Sequence, residues 1–92
     1  MKNPKENREI RLALKNFISE NFLVFSGLED FEERDSLLET GIIDSTGLLE
    51  LIGFIEEEFD IRVEDEEAIP DNLDSLDNLT SYIGRKLEIG GS

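Results

Sequence analysis

Apolar residues recur along this chain at helical rather than strand spacing. Ile10, Leu14, Phe17, Ile18 and Phe22 stand three and four positions apart, with Lys5, Arg8, Glu9, Arg11, Lys15 and Glu20 among the positions between them. That spacing draws one apolar stripe along a helix. Asn3 before Pro4 supplies a start, since proline suits the first helical position. A long amphipathic helix is therefore predicted over roughly 4–22. A second follows over 45–59, with Asp44 as its N-cap and a broad apolar face of Leu48, Leu49, Leu51, Ile52, Ile55 and Phe59. Glu50, Glu56, Glu57 and Glu58 take much of the remainder. Gly47 and Gly53 weaken this helix by roughly 1 kcal/mol each against alanine, which burial has to offset. Ser75 caps a last helix over 76–88, with Leu76, Leu79, Ile83 and Leu87 on one side. Residues 64–69 predict one or two further helical turns, which Pro70 stops.

The connection over 23–43 has no sustained period, and Gly27 and Gly41 punctuate it. It carries too many apolar residues for a loose linker: Val24, Phe25, Leu28, Phe31, Leu37, Leu38, Ile42 and Ile43. A structured loop closing one end of a helical core fits better. Ile61-Arg62-Val63 alternates like a strand without a partner in the sequence and reads as an extended connector. The expected fold is all-α, a small four-helix bundle of three long helices and one short, with a long structured first loop. It forms one domain over 1–92 with a flexible tail at 89–92.

Composition narrows the function. The chain has 92 residues, 23 acids against 9 bases, a net charge of −14, and no histidine, cysteine or tryptophan. Histidine-dependent acid–base or nucleophilic catalysis is excluded, as are zinc sites of the Cys/His type. The charge repels phosphate backbones and anionic membranes, so neither nucleic acid nor membrane insertion is expected. Basic protein partners are. The acid is uneven: residues 44–69 hold ten acids and one base, −9 of the total. The N-terminus shows no apolar signal core and no segment is long enough to span a membrane, so a cytoplasmic monomer is expected. An EF-hand calcium loop starting at Asp71 fails, because Leu76 and Tyr82 fall where the loop needs Gly and Glu. Paired carboxylates abound, yet nothing marks a catalytic pocket, and no catalytic or metal-ligating residue is assigned.

Three Asp-Ser pairs occur: Asp35-Ser36, Asp44-Ser45 and Asp74-Ser75. Ser36 falls in the loop and reads as a turn residue, and Ser75 reads as an ordinary N-cap with 17 residues after it. Ser45 stands just inside a long helix, its hydroxyl beside unpaired backbone N–H groups where the helix dipole favours an anion. Taken locally, Asp44-Ser45-Thr46 is also a plain capping cluster.

The segment Gly41-Ile42-Ile43-Asp44-Ser45-Thr46-Gly47-Leu48-Leu49-Glu50-Leu51-Ile52 resembles the attachment region of acyl carrier proteins. Glu56-Glu57-Glu58-Phe59, Asp65-Glu66-Glu67-Ala68 and Tyr82-Ile83 extend the resemblance over the whole chain. It implies a non-catalytic carrier with 4′-phosphopantetheine, taken from coenzyme A by a phosphopantetheinyl transferase, on the hydroxyl of Ser45. The arm's thiol then carries acyl or aminoacyl groups as thioesters. The resemblance also implies a partner-facing surface of Asp44, Thr46, Glu50, Gly53, Glu56 and Glu57, with Asp44 also adjoining the arm. Thr46 and Gly53 stand where many members carry bulky apolar residues. Together with Ile69-Pro70-Asp71-Asn72-Leu73-Asp74-Ser75, they look more like stand-alone carriers loaded by a dedicated adenylate-forming ligase than like a fatty-acid synthesis carrier. Such carriers also serve ketosynthases or acyltransferases with basic patches. An acidic helical interaction module without cofactor accounts for the charge equally well, though not for the setting of Ser45.

Overall fold

A computed structural model describes residues 7–27 and 29–90. The expected helix start at Pro4, Leu28 of the loop and the last two residues of the tail lie outside these. Among the described residues the chain is all-helical, with no strand. Its four helices are α1 (Asn7–Asn21), α2 (Ser45–Phe59), the single-turn α3 (Pro70–Leu73) and α4 (Leu76–Gly90). Single 3-10 turns stand at Leu23–Phe25 and Asp65–Glu67.

The core forms where the apolar stripes meet. Ile10, Leu14 and Ile18 of α1, Leu51 and Ile55 of α2, and Leu76, Leu79 and Ile83 of α4 are fully buried. Each such side chain gains roughly 1.5–3 kcal/mol from leaving water. The backbones of α1 and α4 pack together, and α3 packs on α4. Helix α2 joins through aromatic side chains. Phe17 of α1 stacks on Phe54 with centroids 4.0 Å apart, and Phe54 meets Phe59 edge-on at 6.3 Å.

The first loop is tied down at several points. Phe31, Leu37, Ile42 and Ile43 enter the core. The Asp77 N–H donates to the Glu33 carbonyl (2.8 Å), and the Leu37 N–H donates to the Asp74 carbonyl (2.6 Å). The Arg11 guanidinium reaches from α1 to the carboxylates of both Glu33 and Asp77, the latter at 2.7 Å. These contacts join the loop to the start of α4. Gly41, at φ 81°, takes the left-handed conformation that closes the approach to α2.

Three expectations are corrected. The short helix expected over 64–69 is one 3-10 turn at Asp65–Glu67, and Pro70 begins a helix instead of ending one. Proline's missing N–H costs nothing at a first helical position, and its ring drives the preceding residue extended, as Ile69 is (φ −121°, ψ 157°). A helix through residue 69 is therefore broken while one starting at 70 is favoured. Second, Leu49 does not belong to the apolar face: it is 70% exposed. At 100° per residue it lies roughly 160° around the helix from Leu51. Third, α4 runs through Gly90, so the expected tail is helical backbone up to that residue. No proline stands there to stop it, and glycine costs a helix only about 1 kcal/mol.

Candidate functional site

The first turn of α2 is built around the Asp44 cap. Asp44 is extended (φ −103°, ψ −173°), and its Oδ1 accepts the Gly47 N–H at 2.7 Å. Its carbonyl accepts the Leu48 N–H at 2.9 Å. Ser45 and Thr46 are then the first two helical residues, both exposed. Their N–H groups have no intrahelical acceptor. Among the described residues the Ser45 hydroxyl makes no hydrogen bond. The arrangement is an exposed hydroxyl beside unpaired donors at the positive end of a 15-residue helix, where a negative charge is favoured.

Gly47 lets this turn close. A Cβ there would stand 2.9 Å from the Phe22 ring and 3.3 Å from Asp44 Oδ1. Phe22 therefore packs directly on the backbone of the turn, and its ring meets Phe17 edge-on at 5.7 Å. Gly53, by contrast, faces open space, with nothing within 4 Å of a Cβ built on it.

The other two serines sit in the opposite situation. The Ser36 hydroxyl donates to Asp74 Oδ2 (2.5 Å) and accepts the Glu39 N–H (3.1 Å). Asp74 Oδ1 accepts the Leu38 N–H (3.0 Å), so this carboxylate organises the loop. Ser75 is buried and accepts the Asn78 N–H at 3.1 Å, acting as the cap of α4.

The sequence-derived surface residues divide as well. Asp44, Thr46, Glu50, Gly53 and Glu57 are exposed, the last four along α2. Glu56 is half-buried, and its Oε2 accepts the Val63 N–H at 2.9 Å, pinning the chain where it turns back after α2. Leu49 stands four residues from both Ser45 and Gly53, on the exposed side. Sequence reasoning missed it as a surface residue, although a helical wheel centred on Leu51 exposes it.

Beyond the end of α2 in the chain, Glu67 ties the 3-10 turn to α4. Its Oε1 accepts the Glu64 N–H (3.0 Å), the Tyr82 hydroxyl (2.9 Å) and the Lys86 ammonium (3.0 Å). The Glu64 N–H first, then Lys86 and Tyr82, hold the Glu67 carboxyl below the usual glutamate range. Burial and the same carboxylate push the Tyr82 phenol well above its ordinary value.

Among the described residues, no group of three or more acidic side chains is arranged to hold a metal ion. No helix there is long and apolar enough to cross a membrane. Comparison of the chain with protein-family models and with curated proteins finds no match. The chain is thus a small helical bundle with an exposed, unengaged serine at the head of an acidic helix.

Proposed function

We propose that this chain is a stand-alone, cytoplasmic carrier domain that bears 4′-phosphopantetheine on Ser45. The observation that carries the reading is the contrast among the three Asp-Ser serines. Ser36 and Ser75 use their hydroxyls in local structure, while that of Ser45 is exposed and unengaged at the start of α2. These residues fit the group: an exposed hydroxyl accessible to an enzyme, with helix-start N–H groups to receive the phosphodiester.

In loading, Ser45 Oγ attacks the coenzyme A phosphorus that bears pantetheine. A serine phosphodiester forms, the P–O bond to the nucleotide half breaks, and the serine proton passes to a base on the transferase. The bound arm supplies the thiol that this cysteine-free chain lacks. The chain itself catalyses nothing and presents the cargo. Exposed Asp44, Glu50 and Glu57 steer basic patches on partner enzymes, an attraction that weakens with salt. Thr46 and Gly53 reduce the apolar bulk of the surrounding surface to the exposed Leu49, which suits a dedicated acyl- or aminoacyl-adenylate ligase better than fatty-acid synthase enzymes.

Mass spectrometry after incubation with coenzyme A and a broad-specificity phosphopantetheinyl transferase tests the reading. The unmutated chain gains one arm and Ser45→Ala gains none. If the unmutated chain gains nothing, the carrier reading falls and an acidic interaction module takes its place.

A further inference from the structure

Beside the first turn of α2 the surface opens into a recess of about 250 Å³, lined by Asn21, Phe22, Ser26, Gly41, Ile42 and Asp44. Three segments meet there: the end of α1, the turn that follows, and the approach to α2. Asp44 is both a wall of the recess and the neighbour of Ser45. Phe22 lines it while packing on Gly47 in the turn that bears Ser45.

The recess is smaller than the roughly 300–1,000 Å³ of sites that hold free ligands. A free molecule gains too little from so small a cleft. A tethered group needs less, because attachment next door raises its effective concentration into the millimolar range or beyond. The chemistry of the wall is mixed. Phe22 and Ile42 offer apolar surface. The Asn21 Nδ2 donates to the Phe17 carbonyl (2.9 Å), so its Oδ1 stays available as an acceptor. Gly41 projects no side chain into the opening. An alkyl chain gains little beside Asn21, Ser26 and Asp44, whereas a slim group alternating methyls with amides and a hydroxyl matches both kinds of surface.

We propose that this recess is the resting place of the pantetheine portion of the arm on Ser45. The proposal rests on the carrier reading above. It assigns the end of α1 and residues 41–42, which contribute nothing to the exposed face of α2, the role of sheltering the arm between encounters.

The test uses the full ¹⁵N-labelled chain, loaded from coenzyme A by a phosphopantetheinyl transferase, with the mass gain confirmed before amide spectra of loaded and unloaded protein are compared. The expected result is movement of the Asn21, Ser26, Gly41 and Ile42 amides alongside those of Ser45 and Thr46. In loaded Asn21→Ala, a substitution at an exposed position, the changes at Ser26, Gly41 and Ile42 collapse. A confirmed mass gain with changes confined to Ser45 and Thr46, or spreading to Ile52 and Ile61, overturns the recess and leaves the carrier reading standing. No mass gain overturns both.

Discussion

Two ends of this bundle begin a helix with the same Asp-Ser pair and use it in opposite ways. At α4, Asp74 and Ser75 are absorbed by the fold: the carboxylate holds Ser36 and Leu38, and the buried hydroxyl caps the helix. At α2 the aspartate takes over the capping, accepting the Gly47 N–H, and the serine is left exposed. Moving the cap one residue upstream frees a hydroxyl in the first helical turn. The lesson is that a short motif acquires its role from which of its atoms the backbone already uses.

Substitutions at the two ends sharpen that contrast. The largest effect is expected at Asp74→Ala. It leaves the Ser36 hydroxyl and the Leu38 N–H without their acceptor, and the chain should lose about 2–3 kcal/mol of stability, read by urea unfolding. Below its lowered melting temperature, loading at Ser45 should persist. Loss of loading in a folded Asp74→Ala chain would show that the two ends are coupled rather than separate.

The two α2 glycines should respond with opposite sign. Gly47→Ala drives a methyl into Phe22 and the Asp44 cap, and about 1–2 kcal/mol of destabilisation is expected. Gly53→Ala adds a methyl to open space and should stabilise by up to about 1 kcal/mol. Equal shifts of midpoint in the two variants would contradict the close packing of Phe22 on the first turn. Smaller again, Ser75→Ala should cost about 1 kcal/mol as a lost cap, while Ser45→Ala should stay within about 0.5 kcal/mol.

Acid should act last, at the tie between Glu67 and α4. The folded pKa of Glu67 lies below its unfolded value, so its contribution is complete above the ordinary glutamate range. It is lost as the pH falls through the folded value. The stability difference between the unmutated chain and Glu67→Gln should therefore shrink between about pH 5 and pH 3. A difference that is constant with pH would mean that the Glu64 N–H, Lys86 and Tyr82 do not favour the carboxylate.

Much of this arrangement could be read in advance because it is local. Asp44 and the apolar spacing to Phe59 place α2 over 45–59, and Ile10, Leu14 and Ile18 draw the buried stripe of α1. What escaped depends on geometry beyond the neighbouring residues. Leu49 is the exception, since its angle around the helix from Leu51, a local property, already puts it outside. Pro70 forces Ile69 extended through its ring and starts a helix where its missing N–H costs nothing, and the spacing alone does not show that a helix follows it. Glu56 belongs to an acidic run, but its bond to the Val63 N–H exists only once the chain has turned back. Gly47 read as a weakness until Phe22, 25 positions earlier, came to lie on it. The candidate serine itself was legible from its context, whereas the engagement of Ser36 by Asp74, 38 positions away, was not.

The most direct test of the central claim is to locate the arm within the chain. Cleavage after glutamate releases residues 40–50, which contain Ser45 and neither Ser36 nor Ser75. After incubation with coenzyme A and a phosphopantetheinyl transferase, fragmentation of that peptide should place the added mass on Ser45. Finding the arm on Ser36 or Ser75, or no arm on any fragment, would contradict the assignment of Ser45 as the one of the three Asp-Ser serines that the fold leaves free to carry it.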